Sequence, residues 1–463
     1  MLNDKSKFKS IIVILALEAA LVGMVQAGSK HLKAGFGVRV VNPTKPAVPI
    51  GHTRTTPRNN IHADLRVQAM VLEDASGKRI VLMGWDFCNV LAPIANQVKE
   101  AVRQKYGIAP QAFCINASHT HSAPPLMEQE AMKPQFFDAD YAKFVVEQAV
   151  QVVGDAIDNL SAVRLRYCEY PATSVGVNRR LKTGDEVVMQ PNFAGAVDHR
   201  VQVIAAESLE DNQLKGVIVK YACHPVTVGP AGLGSDYPGF MRDFIEKRHP
   251  GTVVVFLQGC AGDVRIQIID EYATKFIRES EEQVAGRLGR DLGCSVEWAL
   301  NKPGTPITGP IEYDYKTIDL PLGKVTESQY QQAADSNTYK KRWGQKHLAM
   351  LESGRTIPQI QPYRIQVFRL GADDKNPFIL IALQGEVFTE YGFNLAERLK
   401  PANTIVLGYS NHIAGYVCTA EAIKQGGYEP QAYSFWKTAG PYTTEAEAMI
   451  LEAAVKLAKS KAR

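Results

Sequence analysis

The stretch Asn116-Ala-Ser-His-Thr-His-Ser-Ala-Pro-Pro125 sets two imidazoles two residues apart at the end of an apolar run, Phe113-Cys-Ile115. Side chains alternate along an extended strand, so His119 and His121 are expected on one face at the mouth of a sheet. A divalent metal could be gripped there, because imidazole nitrogen is a preferred ligand of such ions. Two His this close can also be ordinary loop polarity, so the pair gains meaning only from its surroundings.

Outward from that stretch, strand and helix patterns alternate. Val67 to Glu73 and Arg79 to Gly84 flank Asp74-Ala-Ser-Gly77 as a hairpin, and Pro93 to Tyr106 reads as a helix closed by Gly107. Phe113 to Ala117 is a strand, Tyr141 to Leu160 a helix and Ala162 to Tyr170 a strand. Val201 to Glu207 and Leu214 to Ala222 form a second hairpin, Tyr237 to Lys247 a helix, and Val253 to Leu257 a strand of buried type. Further helices are expected at 277 to 300, 327 to 352 and 443 to 460, with a hairpin of Tyr363 to Leu370 and Pro377 to Leu383. The expected fold class is α/β, with mixed β-sheets covered by helices.

Polar groups recur directly after the expected core strands: His224-Pro225, Gly259-Cys-Ala-Gly-Asp263, Gly385-Glu386 and Tyr409-Ser-Asn-His412. Strand ends gather along one edge of a sheet, so these groups can converge on one crevice. Two or three His with one Glu is the donor set of a catalytic zinc site that keeps a position open for water. Glu386 by itself would equally suit a helix N-terminus.

Lys5, Lys7 and Lys9 precede the apolar run Ile11 to Val25, which Glu18 interrupts, and Val25-Gln-Ala27 has the small-x-small pattern of a cleavage site. Residues 1 to 27 are read as a signal peptide, because the apolar stretches beside Glu18 fall short of the about 20 residues a bilayer span needs. The expected protein is periplasmic or secreted, with no membrane span after cleavage. Residues 28 to 463 show no linker, repeat or low-complexity tract and are read as one large domain. The formal charge of +4 falls by one on losing three Lys, Asp4 and Glu18, and this carries no nucleic-acid footprint. Seven Cys, an odd number, leave at least one thiol free in an exported protein. Cys88, Cys114, Cys223 and Cys260 lie beside apolar strands and are expected as buried thiols, with one disulfide left open.

Taken together, the motifs resemble the neutral/alkaline, non-lysosomal ceramidases. The resemblance rests on Ser118-His-Thr-His-Ser122, Asn178-Arg179, His224, Gly259-Cys-Ala-Gly-Asp-Val264, Gly385-Glu386, Asn411-His-Ile-Ala-Gly-Tyr-Val-Cys-Thr419 and Gly427-Tyr-Glu429, in order over most of residues 34 to 436. It implies one Zn²⁺ held by His119, His224, Glu386 and Tyr416, whereas ligand chemistry alone nominates His121 over the phenol. It makes His121, Arg179 and Tyr428 the catalytic group around the reacting centre, with Asp86 and Asp263 as partners that orient a ligand His. The implied reaction is hydrolysis of an N-acyl amide of a small-molecule substrate by metal-bound water.

Two departures stand out. Where ceramidases carry a serine after Gly-Asp-Val, this chain has Arg265, a permanent cation suited to a carboxylate, phosphate or sugar hydroxyl. Full ceramidases add a C-terminal β-sandwich, and this chain ends at Arg463, soon after Tyr442-Thr-Thr. A polar or glycan-derived ester or glycoside is therefore an alternative substrate, and a zinc-containing binding protein without turnover an alternative function.

Overall fold

The computed structural model describes residues 31–50, 56–128, 136–227, 232–277, 281–338, 340–371, 375–435 and 438–460. The expected signal peptide, residues 1 to 27, lies outside them. In chain order the first part gives β1 (Lys33–Val40), β2 (Arg66–Glu73), β3 (Arg79–Trp85), α1 (Ala92–Tyr106), β4 (Phe113–Ala117) and α2 (Ala139–Asp158). The middle part gives β5 (Ser161–Pro171), β6 (Gly176–Thr183), β7 (Arg200–Ser208), β8 (Leu214–Tyr221), α3 (Asp236–Arg248), β9 (Val253–Gln258), β10 (Val264–Ile266) and α4 (Glu281–Leu300).

Among the described residues the largest sheet has nine strands, in the order β9-β8-β7-β5-β1-β2-β3-β4, with Thr305–Ile307 beside β5. Its halves are paired strand to strand only where Lys33 and Ala34 meet Ala162 and Ser161. That short seam lets the halves fold face to face. A Cβ on Gly84 would meet the Phe256 carbonyl at 2.5 Å, and one on Gly216 the Phe36 ring at 2.4 Å, so glycine permits the close approach. Helix α2 covers β1 and β2, and α4 with α3 covers β5, β7 and β9. Being covered on both sides explains why β9 reads as the continuous apolar run Val253 to Leu257.

The last part adds β11 (Ile311–Pro321), α5 (Glu327–Asp335), α6 (Lys340–Glu352), β12 (Ile360–Leu370), β13 (Phe378–Leu383), β14 (Glu386–Val387), α7 (Thr389–Arg398), β15 (Asn403–Leu407), β16 (Tyr416–Val417) and α8 (Glu445–Lys459). Strands β11-β12-β13-β15 form a four-stranded sheet backed by α8, and its inner residues Phe368, Leu380, Ile405 and Leu407 join the core of the large sheet. The pairs β3/β4, β8/β9 and β13/β15 run parallel. Their carboxyl ends are brought together by bridges of Asn116 with Ser410 and of Gly259 with Leu407.

The mixed α/β class and most elements agree with the sequence expectation. One helix does not: the span 327 to 352 is two helices, α5 and α6, packed against each other. Ser336 caps the end of α5 by donating to the Ala333 carbonyl, and Gly344 lets the helices touch where a Cβ would lie 2.5 Å from the Tyr330 carbonyl. The seven Cys are free thiols, six of them buried and Cys294 exposed.

Candidate metal centre

The centre is assembled from three sources: His119 and His121 after β4, His224 after β8, and Glu386 at the start of β14. His119 Nε2 lies 3.2 Å and His224 Nε2 3.1 Å from the same oxygen, Glu386 Oε2. All three side chains are buried. The other nitrogen of each of these imidazoles is tied to the backbone: His119 Nδ1 donates to the Cys88 carbonyl at 2.7 Å, and His224 Nδ1 to those of Ala261 and Val264 at 2.8 and 2.9 Å.

These bonds decide the tautomer. With Nδ1 protonated, a neutral imidazole turns a bare Nε2 lone pair towards the carboxylate. Two lone pairs and an anion packed together repel unless a cation lies among them. Donors of a tetrahedral ion with bonds of ~2.0–2.1 Å stand about 3.3 Å apart, so the spacing fits such an ion.

Glu386 and His224 have the electrostatics of an anion beside a neutral imidazole, whereas His119 without an ion favours a second proton on Nε2. Burial would raise the Glu386 carboxyl, but the two imidazoles hold it well below the usual carboxylate range. Burial, then Arg179, pushes His224 down to about 4. On His119 burial acts in the same direction, but the Cys88 sulfur at 3.6 Å and Glu386 outweigh it and raise the imidazole well above its ordinary value.

His121 reaches the same point by a route other than a continued strand. Strand β4 stops at Ala117, and His119 takes a left-handed φ of 67°. The two rings then stand at 84° with their Nε2 atoms 3.2 Å apart, so the expected single strand face is replaced by a turn that still converges the nitrogens. Cys88, His119 and His121 form a second group of donor atoms within 4.8 Å of one another.

Tyr416 pairs with Glu386 in the short β14/β16 ladder. Its phenol oxygen accepts from Arg179 Nη2 at 3.0 Å; burial and Glu386 push the phenol well above its ordinary value, and Arg179 opposes them. Arg179, on β6, also donates to the Gly262 carbonyl at 2.8 Å and to Glu429 Oε1 at 2.9 Å. The other oxygen of Glu429 takes Arg180 at 2.5 Å. Tyr428, half exposed, sets its ring edge-on to Tyr416 with centroids 5.8 Å apart.

The outlying residues fall in different places. Asp263 accepts from the Thr389 amide and hydroxyl at 2.9 Å and from Asn178 at 2.9 Å, which ties β6 to the start of α7. Burial, and then Glu390, raises its carboxyl. Asp86 stands apart from the imidazoles: its oxygens take Arg242 at 2.9 and 2.7 Å and the Arg66 amide at 2.8 Å. Backbone carbonyls, rather than either Asp, take the Nδ1 hydrogens of His119 and His224. The backbone of Arg265 bridges to that of His224, and its guanidinium lies over the Phe276 ring, 4.8 Å from the centroid.

Sequence reasoning overlooked the amides that lock the strand ends. Gln258 donates to the Ser118 and Cys223 carbonyls at 2.9 and 2.8 Å, while Asn116 donates to the Gly408 carbonyl at 2.8 Å. It also overlooked Glu429, although an acidic residue beside Tyr428 in a quoted motif was a signal.

Comparison with known proteins places this geometry. Residues 51–266 match the family described as neutral/alkaline non-lysosomal ceramidase, N-terminal. The neutral ceramidase from Pseudomonas aeruginosa superposes with a TM-score of 0.71 at 17% identity, covering 94% of this chain and 76% of that one. A ceramidase complexed with C2 gives a TM-score of 0.71 at 17% identity, with 94% and 77% covered. A search of curated proteins finds no match. The matched segment holds His119, His121, Arg179, His224, Asp263 and Arg265, while Glu386 and Tyr416 follow it. Residues 51–266 thus resemble the N-terminal part of the neutral/alkaline non-lysosomal ceramidases, and the mixed α/β fold matches that of the neutral ceramidases.

Proposed function

We propose that this chain is a zinc-dependent amidohydrolase of the neutral ceramidase type, binding one Zn²⁺ and cleaving an N-acyl amide bond outside the cytoplasm. The observation that carries the reading is the meeting of His119 and His224 on one Glu386 oxygen at 3.2 and 3.1 Å. Zinc, when bound, supplies a Lewis acid that acidifies water and polarises a carbonyl.

The chain's own residues supply the rest. His121, its Nε2 3.2 Å from that of His119, is placed to pass a proton to the departing nitrogen. Arg179, fixed by Glu429 and Gly262, offers positive charge where an oxyanion develops, and Tyr428 adds a phenol at the exposed side. Asp263 keeps β6 and α7 in register so that Arg179 and Glu386 face each other. Residues 28–463 act as one catalytic domain. No described helix is long and apolar enough to cross a membrane, and the leader-like residues 1–27 support a periplasmic or secreted protein.

A second reading of the ligand set has an observation behind it. His121 Nε2 already lies among the donor atoms, whereas the Tyr416 oxygen takes a bond from Arg179. Metal content separates the two: the ligand among His121→Ala and Tyr416→Phe is the one whose loss releases zinc. His119→Ala is expected to lose both bound zinc and turnover of N-acyl amides, and full zinc occupancy in that variant contradicts the proposal.

A further inference from the structure

Tyr409 follows β15, at the strand end where the metal centre is built. It is fully buried, with a left-handed φ of 49°. A non-glycine residue there stores backbone strain, held in place by its surroundings. Its amide donates to the Gly385 carbonyl at 2.8 Å and its carbonyl accepts from Ala117 at 3.1 Å, which fixes the ring between the strand carrying His119 and the turn carrying Glu386.

The ring packs on both ligand imidazoles, with centroids 4.6 Å from His119 and 6.1 Å from His224. Its hydroxyl lies close enough to Glu386, Tyr416 and Arg179 for their charges to act on it. Among the described residues that buried hydroxyl has no hydrogen-bond partner. Other buried phenols of this protein are satisfied: Tyr141 donates to the Val41 carbonyl, Tyr237 to that of Cys223 and Tyr363 to that of Gln384. A buried polar group without a partner is costly, so one retained beside a cation site calls for a partner that arrives with the cation.

We propose that Tyr409 is a further positioning residue for the metal: its hydroxyl, orphaned in the protein alone, is satisfied from the filled centre and so couples ion binding to the stability of the fold. The inference rests on the proposed metal centre and adds a phenol that donor spacing did not nominate. It predicts opposite consequences of one substitution in the two states of the protein.

The test compares wild type, Tyr409→Phe and the control Tyr141→Phe in the full chain, stripped of metal by chelator and then titrated with Zn²⁺ alone against a competing chelator. For Tyr409→Phe the expected result is about tenfold weaker Zn²⁺ binding, the size typical of losing a group that supports metal ligands. Its metal-free melting temperature should be equal to or above that of wild type, since an unsatisfied hydroxyl has been removed. A shifted visible spectrum of the Co²⁺-loaded variant would report the altered ion environment, which a merely structural role would leave alone. Tyr141→Phe should melt lower in the metal-free state and bind Zn²⁺ as wild type does. Wild-type Zn²⁺ affinity in Tyr409→Phe, a lower metal-free melting temperature, or failure of that variant to fold overturns the inference while leaving the metal centre standing. Failure of wild type to bind Zn²⁺ overturns both.

Discussion

Replacing Glu429 by Gln tests whether Arg179 is aimed by a buried carboxylate. Glu429 is 3% exposed, and Arg179 and Arg180 are 5% and 9% exposed, so two guanidinium groups share one anion out of water. Glutamine keeps the shape but removes the charge and turns an amide group, itself a donor, towards one of the two cations. A charge-assisted hydrogen bond of this kind is worth roughly 1.5–3 kcal/mol, and leaving a buried charge uncompensated costs roughly 3–5 kcal/mol. Arg179 retains the Gly262 carbonyl and Arg180 that of Gly426, both at 2.8 Å, which places the expected loss near the lower figure, about 3 kcal/mol. The assay is urea denaturation of Glu429→Gln, Arg180→Met and the double variant, which should show a coupling of roughly 2 kcal/mol between the two sites. Turnover of an N-acyl amide should fall about tenfold or more with zinc content unchanged, because Arg179 loses aim while the imidazoles keep theirs. A stability loss under about 1 kcal/mol, or strictly additive variants, refutes the claim that Glu429 organises Arg179.

Other outcomes follow from the same geometry. Gly262→Ala would place a Cβ 2.4 Å from the Glu386 carbonyl oxygen, so overpacking of roughly 1–3 kcal/mol and weaker zinc binding are expected, read by thermal melting and chelator competition. Lys99, which donates to Asn411 at 2.6 Å, is lowered by burial from 10.5 to about 8. Its cost to the fold is fully present below pH 8 and is relieved as pH rises to 10.5, because there the unfolded chain holds a proton that the folded one has released. That gain is about 3 kcal/mol, and Lys99→Met should abolish it in denaturation midpoints compared across that range. Arg265→Ser should lower kcat/KM about tenfold for acyl amides bearing a carboxylate or phosphate and spare neutral ones; equal effects on both would remove Arg265 from substrate selection.

The regular elements were legible because their signals are local. Pro93 near the start and Gly107 just past the end marked α1, and the apolar run Val253 to Leu257 marked β9. The break between α5 and α6 was hidden because its cause is a contact between two helices, at Gly344 and Tyr330, that periodicity within one segment does not report. Strand-end position brought His119, His224 and Glu386 under suspicion, but the turn that swings His121 onto His119 depends on a left-handed backbone. The mutual grip of Asn116 and Gln258 joins residues 142 positions apart, and two buried amides carry no sequence mark that separates them from loop polarity. Asp86 shows the converse: an acidic residue after a core strand was expected to orient a ligand His, yet its oxygens are taken by Arg242 and the Arg66 amide.

The two-residue seam between β1 and β5 has a consequence for how the molecule is made. His119 follows one half of the large sheet, His224 the other, and Glu386 sits in the short β14/β16 ladder just past the four-stranded sheet, with 162 positions separating the last two. Three slabs must therefore dock before any ion finds its full cage, and chain closure over such distances is slow to nucleate. With the proposed ion, newly made protein should become globular first and bind the cation afterwards, as the final rivet on slabs that have already found each other.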